Sequence, residues 1–356
     1  MAVDFAGNDY LGLARDPRLA EALCRAARED RISATSSRWG LGWTGHHERL
    51  ERGLAEFFRV EAACILGAAY FGGLVYFTTL ADSRDTVFCD ENSHSNLFLG
   101  MRAAGMQIHT FRHLDPDDLR RQLAAHGGGR AIVASDSVFG ISGELADLAA
   151  LQRAAREHGA ELLIDDAHGV FGMGATGRGA IEACGIELDE RTTLMGSMSK
   201  ALGVNGGFLV GRAELVERFR RSPTASGSSV PPVPIAAACV EGLRIVRDEP
   251  ELRETLNANA RRMRSALAEA GIATVCDRTP IVAMVLADEF EAARLDRHFD
   301  SFGLRIPYFK YASEPRENLL RAVARACYTD ADLDRFAAAV HGWAASGAAV
   351  AFRHPG

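Results

Sequence analysis

Apolar and polar positions fall into short alternating blocks through the middle of the chain. From about residue 60 to 212, the runs AACIL (62–66), TVFCD (86–90), QIHTF (107–111), RAIVAS (130–135), ELLID (161–165), TTLMG (192–196) and GGFLVG (206–211) read as strands. Helical patterns separate them, reaching about Ala81 and Ala104 and covering 116–125 and 147–157. Runs this short and this apolar suit strands buried on both faces, and their alternation with helices predicts a mostly parallel α/β sheet covered by helices. Ligands of such sheets bind at the carboxyl ends of the strands, so the residues just past each run are the ones to inspect.

Beyond Pro231–Pro234 the pattern changes. A helical stretch over roughly 235–268, broken near Asp248–Pro250, precedes the strand-like PIVAMVLAD and LLRAVARA and the helical EFEAARLDRHF and DADLDRFAAAV. These read as a smaller α+β domain. The expected organisation is an N-terminal arm (1–45) with little periodicity, a large domain (46–240) and a small C-terminal domain (241–356), with SGAAVAFRHPG as a frayed end.

Composition narrows the function. With 356 residues and 47% hydrophobic content, the chain can bury a large core, and a net charge of -7 argues against nucleic acid as a partner. No apolar run reaches the length that spans a bilayer, and MAVDFAGNDYLGL lacks a signal-peptide pattern, so the expectation is a cytoplasmic protein. Seven scattered cysteines without C-x-x-C spacing are read as buried, reduced thiols, and no metal site is expected. Of the 40 basic residues only Lys200 and Lys310 are lysines. A lysine kept where arginine is otherwise used invites a chemical reason: its amine can be deprotonated and attack a carbonyl, which a guanidinium cannot do. Lys310, in the polar YFKYASEPREN, reads as a surface charge.

The strand ELLID delivers Asp165, Asp166 and His168 at its carboxyl end, ahead of a glycine-rich loop. A carboxylate there either caps the turn or faces a cofactor's pyridine nitrogen and keeps it protonated. Further on, S-x-x-K-A-x-G-x-x-G-G places Lys200 between two strands, with Ser197 before it and Gly203, Gly206 and Gly207 after it, 35 residues beyond Asp165. Glycines there let backbone approach a ligand, and a serine hydroxyl beside the lysine suits a phosphate oxygen.

These segments, with NDYLGL (8–13), HERLERGLAEFF (47–58), DENSHSN (90–96), VFGISGELADL (138–148), SSVPP (228–232) and RAVARACYT (321–329), resemble the α-oxoamine synthase family over essentially the whole chain. The resemblance implies the aspartate-aminotransferase fold (fold type I) and pyridoxal 5'-phosphate (PLP) held by Lys200 as a Schiff base. It implies Asp165 on the pyridine nitrogen, His168 on the ring hydroxyl and His94 on the ring face. Phosphate contacts would come from Ser197, the backbone of Ala69 and Tyr70, and Ser228 of a neighbouring subunit, so a homodimer with shared sites is expected. Asn8 and Arg321 would bind substrate, Arg321 clamping a carboxylate. The reaction implied is a decarboxylative Claisen-type condensation of an amino acid with an acyl thioester of coenzyme A or an acyl carrier protein. Aldol cleavage, α-decarboxylation or transamination on the same cofactor, and a non-enzymatic partner subunit, are the rivals.

The chain departs from the family pattern in places. ATSSR (34–38) stands where a glycine-rich segment is expected, AAYFGG (68–73) replaces the usual phosphate-side residues, Gly140 replaces a serine and Tyr328 a histidine. These put substrate choice, rather than cofactor chemistry, in question. Arg325, four residues past Arg321, is read either as a contact for a second acidic substrate group or as the partner of a surface carboxylate.

Overall fold

The structure is a computed structural model that describes residues 2–80, 85–127, 129–227, 229–308, 310, 316 and 318–348. It divides into two compact units, one of residues 13–138 and 146–250, the other of residues 1–12, 139–145 and 251–356. The expected arm over 1–45 is therefore no element of its own, and the boundary near 240 moves to 250. The Val233–Asp248 helix belongs with the large unit because its apolar face lies on the Pro17–Glu29 and Gly45–Phe58 helices of that unit.

The larger unit carries a seven-stranded sheet: β1 (Ala62–Leu66), β2 (Thr86–Asp90), β3 (Gln107–Phe111), β4 (Ala131–Asp136), β5 (Glu161–Asp165), β6 (Thr192–Ser197) and β7 (Gly207–Gly211). Their order is β1-β7-β6-β5-β4-β2-β3, and β7 alone runs antiparallel to its neighbours. Every residue of six of these strands is buried, and β3, at the sheet edge, is largely exposed. Those apolar runs hold the sheet between its helices, each fully buried Leu, Ile or Phe contributing roughly 1.5–3 kcal/mol. Because β7 is reversed, its first residue Gly207 lies level with Ser197 at the end of β6 and Leu66 at the end of β1. Six carboxyl ends and one amino end thus share an edge.

Several helices of this unit, Pro17–Glu29, Gly45–Phe58 and Ala213–Arg221 among them, lie outside the periodicity reading. Pro17–Glu29 is amphipathic, capped by Asp16, whose side chain accepts from the Arg18 N–H, and it buries Leu19, Ala22 and Ala26. Its buried residues recur at i, i+3 and i+7 on one helix face, and Asp-Pro at the start is a regular entry signal. Cysteine placement is also corrected. Cys64, Cys89 and Cys239 are buried, but Cys24 and Cys327 are exposed, and none of the seven is in a disulfide among the described residues.

In the smaller unit, β8 (Ile281–Val285) pairs antiparallel with β9 (Leu319–Val323), while Val3–Asp4 lies parallel to Leu304–Arg305. The helices Glu251–Glu269, Glu289–Ser301 and Asp330–Trp343 cover these strands. No helix among the described residues is long and apolar enough to cross a membrane.

Candidate active site

The carboxyl edge of the sheet gathers most of the residues singled out in the sequence. Asp165 closes β5, Ser197 closes β6, and Ala69 and Tyr70 open the short turn after β1 that runs into the Gly72–Leu80 helix. His94 follows β2 and caps the Ser95–Ala103 helix, its Nδ1 accepting from the Asn96 N–H at 3.3 Å. Lys200 and His168 stand half-buried in the turns after β6 and β5.

Three carboxyls are packed beside one another here. Asp165 and Asp136 are register partners on β5 and β4, and Asp166 is fully buried next in sequence. Asp165 accepts from Ala167 N–H at 3.1 Å through Oδ1 and from the Asn96 amide at 3.3 Å through Oδ2. Asp136 accepts the His94 backbone N–H at 2.9 Å. Burial, with the Asp165 charge beside it, pushes the Asp136 carboxyl well above the ordinary range. Burial raises Asp166 to about 8, against hydrogen bonds from the Ser137 hydroxyl and from the Ala180 N–H at 3.0 Å. The positive charge of Lys200 lowers both Asp136 and Asp166, so its ammonium bears on the strand ends. Ser197 Oγ lies 2.8 Å from Ser199 Oγ, and the His94 ring meets the Tyr70 ring edge-on at 6.3 Å.

This donor set fits PLP. An amine that can form an imine, a carboxylate held by two donors, two imidazoles and a hydroxyl lie at one sheet edge. The amides of Ala69 and Tyr70 head a helix, where anions are favoured. Glycine at 207 is required for the approach of this turn: a Cβ there would stand 2.3 Å from Ala69 Cα and 2.4 Å from Ala69 N. Ser228 lies outside the described residues. Among those described, no cluster of His, Cys, Asp and Glu is arranged for a metal ion.

Arg321, Asn8, Gly140 and Tyr328 belong to the smaller unit. The Arg321 guanidinium donates to the Gly140 carbonyl at 2.6 Å, to the Ala6 carbonyl at 3.1 Å and to Asn8 Oδ1, so both expected substrate residues are in contact. Since Gly140 is used through its carbonyl, the missing serine side chain does not disturb this bond. Tyr10 is fully buried beside Arg321, and burial pushes its hydroxyl up to about 12. Tyr328 stacks on Phe5 at 4.2 Å and its hydroxyl reaches the Asp4 carbonyl at 2.8 Å, tying the N-terminal residues down. Arg325 binds the Asp9 carboxylate at 2.9 Å and lies 3.6 Å from Asp4, which is the second of its two readings. Lys310 pairs with Glu289 at the surface.

Two features went unread in the sequence. Asp136 carries no motif of its own, Asn96 closes DENSHSN without a role read for it, and both become visible only through strand register and helix placement. The segment ATSSR ends in Arg38, which lies 3.4 Å over the Trp43 ring and shares the buried Glu51 with Arg220.

Fold and strand-edge chemistry together define a PLP-dependent enzyme of fold type I. The family model for aminotransferase class I and II matches residues 1–340. The chain is 35% identical over 340 residues to 8-amino-7-oxononanoate synthase of Alkalilimnicola ehrlichii, covering 95% of this chain and 87% of that protein. It is 38% identical over 339 residues to the synthase of Chromohalobacter salexigens, covering 93% and 86%. A serine palmitoyltransferase variant from S. paucimobilis, solved with a bound PLP–myriocin aldimine, is 26% identical with a TM-score of 0.93 over 98% of this chain and 89% of that one. The chain belongs to the α-oxoamine synthase family of PLP-dependent acyltransferases, whose reaction is the decarboxylative condensation of an amino acid with an acyl thioester.

Proposed function

We propose that the amino acid is a small one and that the acyl donor carries a carboxylate at its far end, giving an amino-oxo acid of the 8-amino-7-oxononanoate type. The observation that supports this is the 35–38% identity to synthases of that name across nearly the whole chain. In that product the methyl and amine carbons derive from alanine, and the ketone and remote carboxylate from a seven-carbon ω-carboxyacyl thioester.

The residue roles follow from position. PLP, when bound, supplies an electron sink for the carbanion left at the amino-acid α-carbon. Lys200 would carry the cofactor through its Nζ, and its amine would take the substrate α-proton. Asp165 would pair with the pyridine nitrogen, His168 would donate to the ring oxygen, and His94 would stack on the ring. Ser197 and the Ala69–Tyr70 amides would hold the phosphate, joined by Ser228 of a second copy in a homodimer. Arg321, oriented by Asn8, clamps the amino-acid carboxylate with a charge-assisted fork. The acyl carrier is coenzyme A or a carrier protein.

Absorption spectroscopy tests these assignments. The protein should show a visible band of lysine-linked cofactor that is absent from Lys200→Ala. Alanine should perturb the band more than serine or glycine, and an ω-carboxyacyl thioester added next should release free thiol. A band that responds to amino acids while no thioester releases thiol would refute the acyl-transfer role. A stronger response to serine with a long-chain acyl thioester would replace the proposed substrates.

A further inference from the structure

Asn96 stands in the first turn of the Ser95–Ala103 helix, two residues past His94, and is only 3% exposed. Its Nδ2 donates to Asp165 Oδ2 at 3.3 Å, whereas its Oδ1 is buried with no hydrogen-bond partner. A buried amide oxygen left unpaired is destabilising. The side chain is therefore not placed for its own satisfaction, and its one bond is made to the carboxylate assigned to the cofactor.

Two glycines hold it there. A Cβ on Gly73 would lie 2.8 Å from the Asn96 carbonyl oxygen, and one on Gly100 would lie 2.5 Å from the Gly73 carbonyl carbon. The Gly72–Leu80 and Ser95–Ala103 helices can meet this closely only because neither position carries a side chain. Gly73, a departure from the family pattern, thus has a structural use: it lets the helix bearing Asn96 sit against its neighbour.

Electrostatics gives the contact its meaning. Asp165 and Asp136 are buried side by side, and two such carboxyls do not both ionise readily. Asp165 receives donors on both oxygens, while Asp136 receives the His94 N–H. Asp136 is also the one pushed towards its neutral form. Asp90, Asp166 and Lys200 are the other charged groups that bear on this pair, with the His94 and His168 imidazoles beside it, and all of them are identical in the variants considered next.

We infer that Asn96 is a positioning residue for the cofactor: its amide fixes the Asp165 carboxyl in place against the pyridine nitrogen and thereby keeps that nitrogen protonated. This rests on the assignment of Asp165 to that nitrogen. Asn96 touches the carboxylate, not the reacting atoms, so its effect is read on the cofactor's electronics.

The test is a pH titration of the visible band of the holoenzyme carrying Asn96→Leu, which matches the volume without a donor, with Asn96→Ala as a second variant. Loss of the donor moves the proton from the pyridine towards Asp165, and a neutral ring withdraws less charge from the lysine-linked nitrogen. The midpoint should rise by about one pH unit, the scale set by one hydrogen bond to a charged group. A merely structural role would lower the melting temperature and leave the midpoint where it was. Asp165→Asn should move the midpoint in the same direction and further. If it does, but both Asn96 variants titrate like the wild type, the inference is overturned and the role of Asp165 stands. If Asp165→Asn itself does not move the midpoint, the assignment of Asp165 falls, and the inference with it.

Discussion

Gly207→Ala is the sharpest probe of how the phosphate side is built. The added methyl would stand 2.3 Å from Ala69 Cα, 2.4 Å from Ala69 N and 2.8 Å from the Ala68 carbonyl carbon, all of them backbone atoms. Ordinary carbon contacts begin near 3.5 Å, so the Ala68–Tyr70 turn must retreat by about 1 Å, at an overpacking cost of roughly 1–3 kcal/mol. The same retreat would carry the Ala69 and Tyr70 N–H groups away from the phosphate proposed to lie there. A hydrogen bond to a charged group contributes about 1.5–3 kcal/mol, so losing one weakens PLP binding roughly tenfold to hundredfold. The control is Gly211→Ala at the other end of β7, where the nearest atom to the new methyl is 3.5 Å away. Fluorescence titration of the apoprotein with PLP measures the Kd, and thermal denaturation reports the strain. If Gly207→Ala folds and binds PLP with wild-type affinity, the turn after β1 does not hold the phosphate.

Three further outcomes follow from the same structure. Asp166 is raised from 3.8 to about 8, so between those values the folded chain holds a proton the unfolded chain has lost, and stability falls as pH rises through the window. Asp166→Asn removes that slope, so the melting temperature gained over wild type should grow between about pH 5 and pH 8; a uniform loss at both pH values would mean that Asp166 is ionised when folded. Asn8→Ala takes away the oxygen that receives the Arg321 guanidinium, and the KM for the amino acid should rise about tenfold with kcat little changed; a fall in kcat at constant KM would contradict the clamp. Glu51 accepts from Arg38, from Arg220 at 2.7 Å and from the Ile65 N–H at 3.0 Å, so Glu51→Ala strands two guanidinium groups and should cost about 3–5 kcal/mol in chemical denaturation, whereas a loss below 1 kcal/mol would show water reaching the cluster.

The sheet could be read from the sequence because its strands are short apolar runs bounded by turn residues. Four of the seven, 62–66, 86–90, 107–111 and 161–165, match their expected limits, β6 and β7 differ by one residue at one end, and β4 is shifted by one residue at both. The places of Asp165 and Lys200, at and just past strand ends, were legible for the same reason, and one of only two lysines in an arginine-rich chain stands out. What stayed hidden depends on three-dimensional approach. Asp136 and Asn96 acquire meaning only when β4 is set beside β5 and one helix closes on another across glycines. The membership of residues 1–12 in the C-terminal unit has no local signature at all, since it is written in the pairing of Val3–Asp4 with Leu304–Arg305 and in the Asn8–Arg321 and Asp9–Arg325 bonds.

That last arrangement governs the order in which the protein can be assembled. A ribosome delivers residues 1–12 before the sheet-bearing unit and the segments they join, 251–356, after it. The sheet can close as soon as its own strands are out, whereas the opening dozen residues must wait for a partner some 300 positions downstream, as the pairing of Val3 with Leu304 shows. Such long-range closure belongs to the slow end of folding, and it makes the unit holding Arg321 the last to mature. A translation product stopped near residue 250 would therefore have every strand of the seven-stranded sheet and still lack Arg321, the guanidinium proposed to receive the substrate.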